Sequence, residues 1–364
     1  MRLICVRRAQ RSLSITSSAA VGTEAQIHPK LAPQLVDGLL HSRFSASKAH
    51  LNAVFKPGAF GGQLMAQALY AALASSKCTQ PDSLLSVSSQ MSSFMGPVLL
   101  NSDVLYRVAT VRESGKTFVT KRVQAFQNSS PSADLESVPL LFESTISLYR
   151  AERQPRSDPV LCPARVPENL LATRASGCDT ADVLQSSLDL EEITRRVESG
   201  RIKRGALYST ALRLAQKMSA ADMHLQIRFP IKQRPEAGDA PGRSAYWVGV
   251  DPRLLRGLGA SANLSRILLP YVSDGMTQVL AFSDPLDSVW DAWPRQISVW
   301  NYSMWFSQSV PPLIDIEASE SKWFYVEYSM QGVDRDLGLG HVKLFDWPSK
   351  ALAASASFHC IGRK

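Results

Sequence analysis

The first clear pattern of apolar positions begins just after residue 58 and has a helical period. Behind Gly61 and Gly62, apolar side chains follow at Leu64, Met65, Ala68, Leu69, Ala72 and Leu73. This spacing places them on one face of an α-helix. The stretch is rich in alanine and carries no charge. We therefore predict a short helix with one buried stripe, lying in the concavity of a sheet.

Four stretches with the character of β-strands follow this helix, at residues 84–91, 104–111, 117–126 and 141–149. Most are rich in β-branched or aromatic residues, and in the last one apolar and polar residues nearly alternate. That alternation is typical of a half-buried antiparallel strand. Residues 113–116 contain a glycine and form a turn between the second and third stretches. The first half thus predicts one helix followed by four antiparallel strands.

The same pattern returns after a break that contains Pro155, Pro159, Pro163 and Pro167. We interpret residues 151–210 as a linker with one short helix. Beyond it lie predicted strands at 225–229 and 246–250, a helix at 264–282 interrupted by Pro270, and strands at 296–306, 323–330, 341–345 and 352–361. This repetition predicts two copies of one domain, at 26–150 and 211–364.

Composition and charge narrow the classes of protein to consider. Of the 364 residues, 45% are hydrophobic and 20% are charged, which predicts a folded chain. No stretch approaches the roughly eighteen apolar residues that span a bilayer. The five cysteines form no CxxC pair and no histidine pair has metal-ligand spacing, so we expect no disulfide framework and no metal site. The sequence contains no P-loop or Rossmann fingerprint, and we expect no cofactor.

Half of the net charge of +8 lies before the first acidic residue, Glu24. Without residues 1–23 the chain has thirty-six basic and thirty-two acidic residues, a difference of +4. An arginine- and serine-rich start without acids is typical of a mitochondrial transit peptide, and a disordered tail is the alternative. Without such a leader we expect a cytoplasmic protein, because the final Gly-Arg-Lys is no peroxisomal signal. A charge of +4 on the folded part does not favour nucleic acid as a partner.

Four motifs resemble the acyl-CoA thioesterase II family, which includes bacterial and peroxisomal enzymes. Residues 60–69 match its Phe-Gly-Gly-Gln helix start, and residues 115–123 are similar to its Gly-x-Ser-Phe strand. Residues 271–274, Tyr-Val-Ser-Asp, are similar to its helix with the catalytic aspartate, and residues 302–306 to its His-Ser-Met-Trp-Phe strand. The resemblance implies the α+β class and a tandem double hotdog, in which each antiparallel sheet wraps around a central helix.

What the resemblance implies for function is hydrolysis of acyl-CoA to a free acid and CoA. In that family an aspartate, a hydroxyl group and a glutamine hold the attacking water, which suits an already activated thioester. The aspartate corresponds to Asp274; from helical periodicity alone, a solvated surface aspartate is the alternative. The implied partner is an acyl-CoA or a related acyl thioester, and assembly into a homo-oligomer is left open.

The other catalytic positions depart from the family pattern. The hydroxyl position corresponds to Val299, and the glutamine position to Phe358. Neighbouring Ser298 could replace the hydroxyl only through a bulge or a changed register. His359, next to Phe358, is the titratable side chain nearest to the missing glutamine, and histidine is suited to acid–base chemistry near neutral pH. Ser298 and His359 are therefore candidate catalytic helpers.

The helix start at Gly61, Gly62 and Gln63 is a candidate for substrate binding. Backbone N–H groups at such a position can meet a carbonyl or a phosphate, although close packing of helix on sheet explains the glycines equally well. Because of Val299 and Phe358, a non-catalytic protein that binds acyl thioesters or acts as a scaffold is the alternative function. A hotdog dehydratase needs a histidine and a carboxylate, and the scarcity of histidine argues against it.

Overall fold

We analysed a computed structural model of the chain. It describes residues 34–36, 41–45, 59–76, 85–99, 104–114, 117–127, 138–150, 187–199, 223–230, 243–256, 258, 261–274, 296–308, 321–334, 337–347 and 349–363. For residues 34–36 and 41–45 only the backbone is described. The predicted leader at 1–23 lies outside these ranges.

The described residues of the first half form one helix and six strands. These are β1 (Gln34–Val36), β2 (His41–Ser45), α1 (Gly61–Ser75), β3 (Leu85–Phe94), β4 (Val104–Ser114), β5 (Phe118–Gln127) and β6 (Leu140–Arg150). The predicted helix and the four predicted strands are confirmed, with ends that differ by a few residues. The short strands β1 and β2 were not predicted.

The described residues after the first half form three helices and seven strands. These are β7 (Ser187–Leu188), α2 (Leu190–Glu198), β8 (Leu225–Pro230), β9 (Arg243–Val250), α3 (Pro252–Leu255), α4 (Ala262–Asp274), β10 (Gln296–Phe306), β11 (Lys322–Asp334), β12 (Leu337–Asp346) and β13 (Leu352–Arg363). Helix α2 is the short helix expected between the two halves. Helix α4 continues through Pro270, and residues 275–282 of the predicted helix lie outside the described residues.

The strands form one antiparallel sheet in which the order of the first half is repeated in the second. The order is β1-β2-β4-β5-β6-β3-β10-β13-β12-β11-β9-β8-β7. Strands β3 and β10, the first strands after α1 and α4, lie side by side at the centre. From there outward the order is β6, β5 and β4 in the first half and β13, β12 and β11 in the second, so corresponding strands occupy corresponding places. This repeat is what a tandem duplication would produce, while the domain boundaries at 26–150, 151–210 and 211–364 stay predictions.

Helices α1 and α4 pack against each other and against the sheet. Almost the whole of α1 is buried, including Gln63 and Gln67, and not only the predicted stripe. The reason is that α4 covers a side of α1 that the sheet leaves open. Tyr106 donates to Gln67 Oε1 at 2.7 Å, and Gln90 Nε2 donates to the Met65 carbonyl at 2.9 Å. These hydrogen bonds satisfy polar groups that would be costly to bury alone.

A second, smaller cluster of aromatic residues lies on the other face of the sheet. Its members are Trp247, Trp323, Tyr325, Phe345 and Trp347. Alternate residues of β11 point to the two faces, so Phe324 and Val326 join the main core instead. Next to the cluster, Lys322 and Asp346 form a buried ion pair at 2.7 Å. None of the described helices is both long and apolar enough to cross a membrane.

Candidate active site

Asp274, at the end of α4, is a buried carboxylate that contacts the start of α1. Its side chain is 4% exposed, which excludes a solvated surface role. Asp274 Oδ2 accepts a hydrogen bond from the backbone N–H of Gly62 at 2.7 Å, across 212 positions of the chain. The structure thus brings together two motifs that the sequence analysis identified separately.

The Asp274 carboxylate supplies a hydrogen-bond acceptor for the first turn of α1. Phe60 precedes the helix and provides no side-chain cap. The first N–H groups of a helix have no partner within the helix and attract negative charge. Asp274 therefore acts toward Gly62 as an N-cap acceptor ordinarily does. The positive end of the α1 dipole in turn favours a negative charge at this place.

Glycine at positions 61 and 62 permits the close approach of the two helices. A Cβ atom on Gly61 would lie 2.9 Å from Asp274 Oδ2 and 3.2 Å from the ring of Phe94. One on Gly62 would lie 2.8 Å from the ring of Phe60 and 3.0 Å from Asp274 Cβ. Close packing is therefore one reason for both glycines, as the sequence analysis considered.

Aromatic side chains surround this contact. The rings of Phe60 and Tyr271 meet edge to face with centroids 5.2 Å apart. Phe94, which touches the Gly61 position, packs against Phe142 at 5.1 Å. A carboxylate flanked by aromatic side chains is suited to a substrate that combines one reactive polar group with an apolar part.

Tyr302 of β10 adds a phenol close to the carboxylate. It is 1% exposed, and its hydroxyl has no hydrogen-bond partner of acceptable geometry among the described residues. Burial raises the pKa of Tyr302 well above its ordinary value; the nearby Ser273 hydroxyl lowers it in part, and the Asp274 charge raises it further. The Ser273 hydroxyl itself donates to the Pro270 carbonyl at 3.0 Å. Tyr302 thus stays protonated at neutral pH and can donate a hydrogen bond.

The two positions where the resemblance implies polar catalytic groups hold apolar side chains that point inward. Val299 is partly buried and packs against the main core. Phe358 is 1% exposed and stacks on Tyr302, with centroids 6.1 Å apart and planes 14° apart. Its ring covers Gly340, where a Cβ atom would lie only 2.2 Å from it.

Ser298 and His359 lie on the outer face of the sheet. A bulge does occur in β10, between Val299 and Asn301, but it leaves Val299 directed inward and Ser298 exposed. His359 is exposed beside Trp300, with ring centroids 6.2 Å apart, because it alternates with the buried Phe358. The structure therefore does not bring either residue to Asp274, and their catalytic roles stay predictions.

The third residue of the predicted substrate-binding set, Gln63, is fully buried, and its backbone N–H donates to the Phe60 carbonyl at 3.1 Å. The N–H of Gly62 is engaged by Asp274. Substrate binding by Gly61, Gly62 and Gln63 thus also stays a prediction. Among the described residues, no group of three or more histidine, cysteine, aspartate or glutamate side chains could hold a metal ion.

Comparison with known proteins identifies the segment that contains α1. Residues 52–145 match the family model for the acyl-CoA thioesterase N-terminal domain. This segment is similar to the N-terminal domain of acyl-CoA thioesterases. The resemblance to the thioesterase II family is thereby confirmed, and the Phe-Gly-Gly-Gln helix start lies inside the matched segment. No curated protein matches the chain.

Solved structures extend the likeness of fold to most of the chain. The acyl-CoA thioesterase II TesB2 from Mycobacterium marinum is 16% identical, with a TM-score of 0.50, over 84% of this chain and 90% of its own. A conserved protein of unknown function with a hot dog fold from Alicyclobacillus acidocaldarius is 14% identical, with a TM-score of 0.51, over 89% of this chain and 92% of its own. At these identities the likeness concerns the fold alone, which is a hotdog fold in a large antiparallel sheet.

Proposed function

We propose that this protein is a thioester hydrolase that cleaves acyl-CoA to a free acid and CoA. The observation that carries the proposal is the buried Asp274 carboxylate held by Gly62 at the start of α1. One partner lies in the acyl-CoA thioesterase segment and the other in the Tyr-x-Ser-Asp motif. A carboxylate fixed in this way has the chemistry needed to orient a water molecule and accept its proton.

In the proposed reaction, Asp274 takes a proton from water while the water oxygen attacks the thioester carbonyl carbon. The tetrahedral intermediate then collapses, the carbon–sulfur bond breaks, and the departing CoA thiolate takes the proton back from Asp274. One water is consumed, and one acid and one thiol are formed. No covalent nucleophile is needed, because the thioester is already activated.

Tyr302 is the donor that we assign to the carbonyl oxygen. Its raised pKa keeps the phenol protonated, and its inward position on β10 directs it toward the same interior as Asp274. A donor aimed at the oxygen where charge develops stabilises the transition state most in a site without water. In the strand motif at residues 302–306, Tyr302 takes the place of the family's histidine.

The repeated strand order supports two hotdog units, at 26–150 and 211–364, whose helices α1 and α4 meet at the centre. We infer that the acyl chain lies against the aromatic side chains near this meeting point. A fatty acyl substrate, and so a place in lipid metabolism, fits those apolar walls better than a polar acyl group.

The test is hydrolysis of acyl-CoA thioesters of short, medium and long chain by the purified protein, followed as release of CoA thiol. A single turnover in ¹⁸O-labelled water distinguishes the proposed attack by water from attack by Asp274 itself. Direct attack by water places the label in the acid product. Label in the Asp274 carboxylate would overturn the proposed mechanism, and no hydrolysis of any thioester would overturn the function.

A second candidate is a protein that binds acyl thioesters without cleaving them. It is favoured by Val299 and Phe358, whose inward apolar side chains replace two members of a water-orienting set. Loss of such members usually lowers a rate by orders of magnitude. Titration calorimetry with acyl-CoA that shows tight binding without release of thiol would support this candidate. Turnover in the same samples would exclude it.

A further inference from the structure

Arg266, on α4, is a buried cation at the opposite end of the central strand pair from Asp274. Its side chain is 4% exposed. The pairing of β3 with β10 runs from Ser93 with Asn301 to Ser89 with Trp305. The partners of Arg266 lie beyond this last pair, where the two strands part.

Among the described residues, every hydrogen-bond acceptor of the guanidinium is neutral. Nη1 donates to Ser86 Oγ at 2.5 Å and has a longer contact of 3.4 Å with Asn263 Oδ1. Nη2 donates to Gln308 Oε1 at 2.9 Å and to the Ser307 carbonyl at 3.3 Å. Within the described part of the chain, only neutral dipoles thus contact this positive charge.

No acidic side chain among the described residues pairs with Arg266. Its Nε is buried without a hydrogen-bond partner, and so is the hydroxyl of nearby Tyr149. Burial lowers the pKa of Arg266 below its ordinary value. An unpaired buried charge is costly, and two unused donors beside it are what an incoming anion would engage.

The repeated topology relates this place to the Asp274 site. Helix α1 begins beside the Phe94 end of β3. Helix α4 begins beside the other end of that strand, where Asn263 Oδ1 accepts from the Val87 N–H at 3.1 Å. At this other end of β3, the helix next to α4 is α1, which contains no charged residue. Arg266 thus lies at a place that the repeated topology relates to the Asp274 site, and it carries the opposite charge.

We propose that Arg266 marks a second ligand site that binds the carboxylate of a free fatty acid. The guanidinium Nε and the Tyr149 hydroxyl would donate to the two carboxylate oxygens. The choice of a fatty acid as the anionic ligand rests on the proposed function, because the proposed hydrolysis releases a fatty acid. The repeated strand order relates the place of Arg266 to the site where that acid would be released. Ser86, Tyr149 and Gln308 are partly exposed, which gives the head group a way in.

The experiment is titration calorimetry of the full chain with octanoate. Octanamide, which lacks the charge, and inorganic phosphate, which lacks the acyl chain, are titrated as controls. We expect one octanoate per chain, with binding at least about tenfold weaker in Arg266→Gln. Arg266→Lys keeps the charge and should give an intermediate affinity. Asp346→Asn, which alters the separate ion pair with Lys322, should leave octanoate binding unchanged.

Equal octanoate affinity in wild type and folded Arg266→Gln would overturn the proposal, as would equal binding of octanamide and octanoate. Phosphate that binds more tightly than octanoate would overturn the fatty acid as ligand. If Arg266→Gln does not fold, ¹³C NMR of carboxyl-labelled octanoate on the wild type decides. A bound carboxylate with a pKa below that in water supports contact with the guanidinium, and a raised pKa contradicts it.

The outcome is separable from that of the proposed hydrolysis. Octanoate binding that depends on Arg266, in a protein that releases no thiol, would leave this site standing and overturn the hydrolase. Thioester hydrolysis combined with octanoate binding that is insensitive to Arg266→Gln would do the reverse. Because Arg266 lies at the opposite end of the central strand pair from Asp274, Arg266→Gln and wild type should hydrolyse octanoyl-CoA with the same kcat.

Discussion

The backbone N–H of Gly62 and the carboxylate of Asp274 form a hydrogen bond of 2.7 Å that joins the two halves of the chain. Each residue belongs to a helix from a different half, and both residues are buried. The bond both caps α1 and fixes the carboxylate. Stability and chemistry at this place should therefore change together when the contact is disturbed.

Substitution of Gly61 by alanine tests this coupling. Within a helix, alanine is ordinarily more stable than glycine by about 0.5–1 kcal/mol. Here the new methyl group would lie 2.9 Å from Asp274 Oδ2, so we expect a loss of about 1–3 kcal/mol and a lower kcat. Chemical denaturation and thiol release measure the two effects. A stabilised Gly61→Ala protein with normal turnover would contradict the close contact.

Tyr302→Phe separates the proposed donor from the packing of the ring. Because the hydroxyl has no partner among the described residues, its loss should change the free energy of unfolding by less than about 1 kcal/mol. Turnover should nevertheless fall about a hundredfold, since a donor to the carbonyl oxygen is lost. Tyr325→Phe, in the cluster on the opposite face, is the matched control and should keep wild-type turnover. Equal rates for the two variants would exclude Tyr302 as the donor.

Stability should decrease at alkaline pH through Cys360. Burial raises the pKa of the Cys360 thiol from 9.0 to about 12. The unfolded chain thus loses this proton near pH 9 while the folded chain keeps it, so the free energy of unfolding falls between pH 9 and 12. One proton corresponds to about 1.4 kcal/mol per pH unit. Buried Tyr302, with its raised pKa, adds a loss of the same sign above pH 10.

Denaturation at a series of pH values measures this slope, and Cys360→Ala is the control. Between pH 9 and 12, the free energy of unfolding of the variant should fall less steeply than that of wild type, by up to about 1.4 kcal/mol per pH unit. An identical slope in both proteins would show that Cys360 does not contribute.

Sequence periodicity predicted most of the fold because its signals are local. The stripe in α1 and the alternation in β6 define a helix and a strand without tertiary information. Strands β1 and β2 are too short to show a period, and their place in the sheet depends on partners distant in sequence. The complete burial of α1 could not be predicted either, because it results from contact with α4.

The site was predictable only as far as its motifs reach. Asp274 and Gly62 were each recognised, but their hydrogen bond depends on the packing of two helices. The bulge in β10 sets which side chains point inward, and it leaves Ser298 exposed. Arg266 gave no signal in the sequence, since its importance lies in the absence of an acidic partner among the described residues.

Restoring polar groups at the two altered positions should increase activity. We expect the double variant Val299→Thr, Phe358→Gln to hydrolyse acyl-CoA at least about tenfold faster than wild type, because it returns a hydroxyl and an amide to the inward face. Loss of the Phe358 ring should cost about 2–4 kcal/mol through the cavity it leaves. Turnover is therefore compared below the Tm of each protein, with both single variants as controls. A folded double variant with an unchanged rate would show that these positions do not hold water.

The most direct test compares the removal of two buried carboxylates by isosteric change. Asp274→Asn removes the proposed base, while Asp346→Asn removes a carboxylate that is 2% exposed and paired with Lys322 at 2.7 Å. We predict that Asp274→Asn lowers kcat/KM for acyl-CoA by about a hundredfold or more, and that Asp346→Asn lowers the Tm but keeps kcat. Wild-type turnover in folded Asp274→Asn, or an equal loss in both variants, would contradict the account.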